Sequence, residues 1–196
     1  PAFMRFIGNI AGLEVLDGAC GEGTSSRILA RAGARVTGVD LSKNMIAGAE
    51  QIEASHPLGI TYIQGSAAEV PFEDASFDLV TSWMALSDIS CQQAVLNESA
   101  RVLKPGGKLM FCVRHPAFFT RRTGVLRGAD SNPSGLLIAD YFNKDPWKES
   151  WSFSGSGDAA RGRKTFSNLR FPFSLADCIN GVIEAGLILK RIEEPV

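Results

Sequence analysis

The first 115 residues alternate short apolar runs with segments of helical periodicity. The apolar runs predict strands at Glu14–Asp17, Arg35–Asp40, Ile60–Gln64, Phe77–Ser82 and Lys108–Arg114. The segments between them predict helices at Ser25–Ala32, Lys43–Ser55 and Cys91–Leu103, the last followed by a Lys-Pro-Gly-Gly stop signal. Strands and helices that alternate in this way are typical of a parallel sheet covered by helices. We therefore predict an α/β chain with a doubly wound, mostly parallel sheet.

A different pattern occupies residues 116–170. Gly, Ser, Asn and Pro are interleaved there with aromatic residues, and ten of the 17 aromatic side chains fall within Phe118–Phe173. A disordered linker is poor in aromatics, so we expect an aromatic-rich, ordered insertion after the fifth strand. Beyond it, Ser174 predicts the N-cap of a helix that runs to about Ala185, with Gly186 as its C′ glycine, and residues 187–192 predict a further strand.

Length and composition fit one globular domain over residues 1–196. The chain is 45% apolar and 21% charged, with four widely spaced cysteines that form no CxxC pair. We therefore expect neither a metal site nor a disulfide framework, and a reducing cytoplasm is the simplest setting. No apolar run approaches the roughly 18 residues of a spanning helix, so we expect no membrane association.

The charged residues are unevenly distributed. A formal net charge of −1 argues against a general affinity for nucleic acid. Residues 116–173 nevertheless carry nine basic and five acidic side chains. We interpret the basic clusters there as solvated faces, with the binding of an anionic partner as the alternative; they comprise Arg121, Arg122, Arg127, Arg161, Arg163 and Lys164.

The most informative motif, DGACGEG, spans Asp17–Gly23 at the end of the first predicted strand. Its small residues let the backbone approach a ligand, and amides at the following helix start can meet polar groups. The motif differs from the dinucleotide fingerprint GxGxxG, which has an apolar residue where Asp17 stands. An anionic Asp17 suits a ligand with a cationic amine better than a pyrophosphate.

A second acidic residue, Asp40, ends the second predicted strand about 20 residues after the loop, a spacing that suits ribose recognition. A carboxylate there can accept hydrogen bonds from ribose hydroxyls. Each motif alone has little specificity. Together, in this order and at this spacing, they predict an adenosine-containing ligand on a Rossmann-type sheet.

Five motifs in order resemble those of the class I (Rossmann-like) S-adenosylmethionine-dependent methyltransferases, in particular the small-molecule group. They read DGACGEG at Asp17–Gly23, VTGVDLS at Val36–Ser42, GSAAEVPF at Gly65–Phe72, FDLVTSWMAL at Phe77–Leu86 and RVLKPGGKL at Arg101–Leu109. The resemblance implies S-adenosyl-L-methionine as cofactor, S-adenosyl-L-homocysteine as product, and a small-molecule acceptor methylated by direct displacement. It also makes residues 116–170 an expected lid over the acceptor site.

The resemblance further implies which residues bind the cofactor. Asp17 would lie near the amino group of the methionine part, and Asp40 would hold the ribose diol. The remaining cofactor-binding residues implied are Gly18, Ala19 and Gly21 in the loop, Leu41, Met45, Ser66 and Ala67 around the adenine, and Ser82 and Trp83 beside the methionine part.

Two positions depart from the family pattern. Ala19 stands where the family often has its first glycine, a small change that we expect to be tolerated. Ser66 replaces the usual Asp that accepts a bond from the adenine amine. Adenine recognition would then depend more on the backbone amide of Ala67, and we expect a modest affinity.

Methyl transfer from a sulfonium requires alignment more than a base, so the catalytic residue is left unknown. His115 is a candidate because it ends the fifth predicted strand, and a hydrogen-bonded turn residue is the alternative. Aromatic walls for a planar or apolar acceptor are expected from the insertion. They are Phe118, Phe119, Tyr141, Phe142, Trp147 and Trp151.

Three other functions stay open. A nicotinamide-dependent oxidoreductase is disfavoured by Asp17 and by the missing GxGxxG, and a non-catalytic cofactor-binding relative is suggested only by Ser66. Nucleic-acid methylation is disfavoured because SWMA follows the fourth strand where an (N/D)PPY-like run would be expected. We also expect the N-terminal cap helices and the final edge strand of the family to be missing, and the uncovered sheet edge to favour a homodimer.

Overall fold

The computed structural model describes residues 2–152 and 165–194, without the side chains of residues 2, 151, 152 and 165. Within these residues the chain divides into two compact units. The first unit comprises Pro1–Leu86, Cys91–Val113 and Cys178–Val196, and the second comprises Ser87–Ser90 and Arg114–Asp177. The described helices include none that is both long and apolar enough to cross a bilayer.

The first unit is built on a five-stranded parallel sheet in the order β3-β2-β1-β4-β5. Its strands are β1 Glu14–Gly18, β2 Arg35–Asp40, β3 Thr61–Gln64, β4 Phe77–Trp83 and β5 Leu103–Cys112. Its helices are α1 Ala2–Ile7, α2 Thr24–Arg31, α3 Lys43–Ser55 and α4 Gln92–Val102, and α5 Leu175–Glu184 begins in the second unit. The predicted fold class, a Rossmann-like α/β sheet, is confirmed.

Alternate side chains of the strands bury themselves on opposite faces of the sheet. Val15 and Leu79 belong to one core cluster, into which α1, α2 and α3 also insert residues such as Leu29. Leu16 and Val80 belong to a second cluster, which Val102 of α4 completes. Both faces of a parallel sheet need such a cover because its strands carry apolar residues on both sides.

The predicted boundaries agree with the observed ones to within two residues for β1 to β4 and for α2 to α4. The Lys-Pro-Gly-Gly turn lies inside β5, where the pairing with β4 jumps from Phe77↔Leu103 to Leu79↔Lys108 and Gly106 has a φ of +81°. Ser174 caps α5 as predicted, since its hydroxyl accepts a bond from the Asp177 amide at 3.2 Å.

The strand predicted at residues 187–192 is wrong. These residues follow the left-handed Gly186 that ends α5, and they form no strand in the described structure. Leu187 packs at the edge of the core on the α4 side, whereas Ile188 is 84% exposed. A segment of high β-propensity forms a strand only when a neighbouring strand pairs with its backbone. Residues 187–192 pair with none of the described strands.

Chain order reverses between β1 and β4, which lie side by side in the sheet although β2 and β3 come between them in the sequence. In open α/β sheets, ligands bind outside the carboxyl ends of the strands at such a reversal. Asp17, Asp40 and Ser82 lie at or next to the carboxyl ends of β1, β2 and β4. The topology therefore brings three predicted site residues to the same edge of the sheet.

The second unit contains two antiparallel hairpins. Strand β6 Arg122–Arg127 pairs with β7 Pro133–Ala139, and β8 Trp147–Ser152 pairs with β9 Thr165–Arg170. Arg170 is buried and forms ion pairs with Asp88 and with Glu149. The region predicted as an ordered insertion thus has a strand-rich structure in its described part.

Candidate functional site

Asp17, at the end of β1, is fully buried and is held by three hydroxyl groups. Its Oδ2 accepts bonds from Ser25 Oγ at 2.7 Å and Ser26 Oγ at 2.6 Å, and its Oδ1 accepts one from Thr81 Oγ1 at 2.9 Å. Burial raises the pKa of the Asp17 carboxyl, the three hydroxyl bonds oppose that rise, and the charge of Asp40 adds to it. The carboxylate therefore presents no exposed oxygen to a ligand.

The loop that follows has a left-handed backbone at alternate residues. Ala19, Gly21 and Gly23 have φ values of 57°, 57° and 79°. A Cβ added to Gly21 would meet no atom within 4 Å, so the space above this residue is open. Ala19 adopts a conformation that favours glycine, which accounts for the glycine often found at this position in the family.

The ring of Tyr62, in β3, packs against Gly23 of the loop and Gly38 of β2. A Cβ at Gly23 would lie 2.7 Å from the Tyr62 ring, and a Cβ at Gly38 would lie 2.8 Å from the same ring and 2.9 Å from Cys20 Sγ. Burial raises the pKa of the Tyr62 phenol to about 12, so it stays neutral. Burial likewise raises the pKa of the Cys20 thiol to about 12, which makes it unreactive.

The Asp40 carboxylate bridges two backbone segments at the end of β2. Its Oδ2 accepts a bond from the Gly21 amide at 2.8 Å, and its Oδ1 accepts one from the Ser42 amide at 2.9 Å. A carboxylate has about four lone-pair sites, so each oxygen can accept one further hydrogen bond. Asp40 therefore fixes the glycine loop and still has capacity for a ligand with two hydroxyl groups.

The four residues predicted around an adenine all lie at this edge of the sheet. Leu41 is 73% exposed and Met45 is 42% exposed, which leaves two apolar side chains in solvent beside Asp40. Ser66 Oγ accepts a bond from the Ala68 amide at 3.2 Å, and its carbonyl accepts one from Glu69. Ala67 is half-buried and packs toward Gly18, since a Cβ at Gly18 would lie 3.6 Å from the Ala67 side chain.

Ser82 and Trp83 at the end of β4 have different environments. Ser82 Oγ is buried and has no hydrogen-bond partner within the described part of the chain. Trp83 stacks on Phe3 of α1 with 4.1 Å between ring centroids, and it packs against the core on that face. The indole is therefore engaged by α1, whereas the Ser82 hydroxyl is left for another partner.

The second unit contains the remaining candidate residues. His115 caps a 3-10 turn, its Nδ1 accepting a bond from the Ala117 amide at 3.2 Å, as the alternative interpretation of this residue expects. Phe119, Tyr141 and Trp147 line a cavity of about 10 Å³, the room of a single water. Phe118 and Phe142 are exposed. The Trp151 side chain and the residues Arg161, Arg163 and Lys164 lie outside the described structure.

Sequence reasoning missed four residues of this site: Ser25, Ser26, Tyr62 and Thr81. A usable signal existed for the hydroxyls, because a buried acid at a strand end requires donors and two serines begin the next helix. Tyr62 has no such signal. Only the packing shows that the glycines at 23 and 38 accommodate its ring.

Comparisons with known proteins identify the family of the chain. The family model described as "Methyltransferase domain" matches residues 16–111, from β1 to β5. The crystal structure of an S-adenosylmethionine-dependent methyltransferase from Mesorhizobium loti has a TM-score of 0.78 and 26% sequence identity, covering 99% of this chain and 83% of that one. The chain belongs to the class I S-adenosylmethionine-dependent methyltransferases.

Curated relatives match part of the chain. A demethylmenaquinone methyltransferase of Tropheryma whipplei is 40% identical over 119 residues, which are 60% of this chain and 49% of that protein. One from Renibacterium salmoninarum is 39% identical over 143 residues, which are 67% of this chain and 59% of that protein. The chain spans about half the length of the curated relatives it matches.

The residues present fit S-adenosylmethionine, the cofactor of this family. Three features of the structure support the fit. Open space lies above Gly21, spare acceptor capacity remains on Asp40, and Ser82 has a buried hydroxyl with no partner among the described residues. A charged amino acid, a ribose diol and an apolar nucleobase edge would each find a complementary group at this sheet edge.

Proposed function

We propose that this chain transfers a methyl group from S-adenosylmethionine to a small-molecule acceptor by direct displacement. The observation that carries the proposal is the pair Asp40 and Leu41 at the carboxyl end of β2. Asp40 is held rigidly by two amides and keeps two free acceptor sites, and the next side chain is apolar and 73% exposed. A polar acceptor followed by an unprotected apolar surface suits a ribose followed by an adenine.

Each remaining site residue has a role that follows from its surroundings. The backbone of Gly18, Ala19 and Gly21 would approach the methionine part, with the open space above Gly21 admitting it. Met45, Ser66 and Ala67 would surround the adenine with Leu41, and the Ser82 hydroxyl would gain a polar partner. Trp83 would contribute by fixing α1 through its stack on Phe3.

The cofactor, when bound, supplies an electrophilic methyl group on a positively charged sulfur. The protein must hold an acceptor in line with that methyl group, and proximity of this kind can contribute about 7–11 kcal/mol. A base is needed only where the acceptor must lose a proton early. His115, whose Nδ1 caps a turn, stays the candidate for that role.

We propose a planar small molecule as the acceptor. The support is the name of the curated relatives, demethylmenaquinone methyltransferase, and the aromatic content of residues 116–170. A reduced naphthoquinone is therefore the first acceptor to assay. Residues 116–170 are the segment proposed to recognise it.

Leu41 offers a test that leaves the fold intact. Because its side chain is 73% exposed, Leu41→Ala should leave the melting temperature unchanged. If Leu41 packs on the adenine, the affinity for S-adenosylhomocysteine should fall about tenfold, since burying a leucine contributes roughly 1.5–3 kcal/mol. Ile188→Ala is the matched control, because Ile188 is an 84% exposed aliphatic residue of the same unit and is not among the proposed cofactor-binding residues.

Calorimetric titrations of the chain with S-adenosylhomocysteine and with NADH separate the alternative functions. Binding of S-adenosylhomocysteine without binding of NADH supports the methyltransferase, and the opposite result would replace it with an oxidoreductase. Binding of S-adenosylhomocysteine with no transfer of a labelled methyl group to any quinol or metabolite pool would indicate a non-catalytic relative.

A further inference from the structure

We propose that Asp17 is a positioning residue that holds the glycine loop from beneath, and that it makes no contact with the cofactor. This inference rests on the proposed function, because it concerns how the same site is organised. It differs from the role that the family resemblance suggested for Asp17, a contact with the amino group of the methionine part.

The placement of the Asp17 carboxylate supports this role. Its side chain is 0% exposed, and both of its oxygens are already used. Ser25 and Ser26 bind one oxygen from the first turn of α2, and Thr81 binds the other from the neighbouring strand. A ligand amine would have to displace hydroxyls that are themselves buried, with Ser26 and Thr81 both at 0% exposure.

The three hydroxyls join the two ends of the loop. The loop at residues 19–23 connects the end of β1 to the start of α2, where Ser25 and Ser26 bind the carboxylate of Asp17. Thr81 faces Asp17 in the register of β1 and β4, so it ties this closure to the sheet. The loop is therefore closed around Asp17, and its middle residue, Gly21, donates its amide to Asp40.

This connection predicts which part of a ligand should be affected by loosening the loop. Gly21 is bound to the carboxylate proposed to hold the ribose, so a displaced loop should weaken recognition of the nucleoside as well as of the amino acid. A direct charge contact with the amine would instead affect only ligands that carry the amine.

Two ligands distinguish these cases. S-adenosylhomocysteine carries the amino acid, and 5′-methylthioadenosine has the same thioether nucleoside without it. We expect Thr81→Val, Ser26→Ala and Asp17→Asn each to weaken both ligands by a similar factor, about fivefold to thirtyfold, because each leaves part of a buried hydrogen-bond set unsatisfied. The affinities are measured by calorimetry at a temperature at which every variant is folded.

The controls separate positioning from general destabilisation. Val102→Ala removes buried methyl groups on the opposite face of the sheet, so it should lower the melting temperature and leave both affinities at the wild-type value. If Asp17→Asn weakens S-adenosylhomocysteine alone, and Thr81→Val weakens neither ligand, the inference is overturned. If the wild-type chain binds neither ligand, the proposed function itself fails.

Discussion

Gly38 provides the sharpest test of how the loop is supported. In Gly38→Ala the new Cβ would lie 2.8 Å and 2.9 Å from two atoms of the Tyr62 ring and 2.9 Å from Cys20 Sγ. Tyr62 is 9% exposed and Cys20 is 6% exposed, so neither can move into solvent without leaving the core. The substitution therefore forces a shift in the strand or in the loop.

The size of the effect follows from the packing. Inserting a methyl group into a filled core costs about 1–3 kcal/mol, and replacing glycine in a strand recovers roughly 0.5–1 kcal/mol. A net loss of about 1–2 kcal/mol corresponds to a fall in melting temperature of about 2–8 °C for a domain of this size. Affinity for S-adenosylhomocysteine should also fall, because Cys20 is part of the loop.

Thermal unfolding by circular dichroism measures the change, and Gly48→Ala is the matched control. A Cβ at Gly48, in the middle of α3, would meet its nearest atom at 3.7 Å, so alanine there should stabilise the helix by about 1 kcal/mol. In a Tyr62→Val background, Gly38→Ala should cost less than in the wild type, because the ring atoms are gone. A melting temperature of Gly38→Ala equal to or above that of Gly48→Ala would refute the reasoning.

Two further predictions concern backbone strain and pH. Ala19→Gly should raise the free energy of unfolding in urea by up to about 1 kcal/mol, since a φ of 57° costs alanine roughly 1–2 kcal/mol. In the control Ala49→Gly, inside α3, the same free energy should fall by about 1 kcal/mol. The pKa of Asp78 is lowered by its bond from Lys104, and the pKa of Glu98 by its bonds from Arg101. Both carboxylates therefore stabilise the folded state above pH about 5. The free energy of unfolding should fall as the pH drops through their lowered pKa values. The fall should be smaller in the double variant Asp78→Asn, Glu98→Gln, which lacks both carboxylates.

The sheet could be predicted from the sequence because its signals are local. Strands such as Arg35–Asp40 are short apolar runs that end at an acid, and helices such as Lys43–Ser55 have a serine cap before them, so both were predicted with their observed bounds. Residues 187–192 carry a similar local signal but form no strand. A local signal does not show whether another strand lies beside the segment to pair with it.

The candidate site could be predicted only in part, for the same reason. Asp40 was identified from its position at a strand end and Leu41 from the family resemblance, and the structure leaves both available to a ligand. The hydrogen bond between Thr81 and Asp17 could not be predicted, because Thr81 lies 64 residues away along the chain and meets Asp17 only through the register of β1 and β4. Trp83 stays a predicted neighbour of the cofactor, and its stack on Phe3 could not be predicted because that contact depends on where α1 packs.

The paired amide bonds of Asp40 have a consequence for ligand selectivity. Gly21 and Ser42 hold the two carboxylate oxygens in place, so the carboxylate cannot rotate to satisfy both oxygens with a single hydroxyl. In the proposed binding mode, a 2′-deoxynucleoside would shield both oxygens from water and donate a further hydrogen bond to only one. A hydrogen bond to a charged group contributes about 1.5–3 kcal/mol, so this carboxylate would distinguish ribose from deoxyribose by roughly tenfold to a hundredfold.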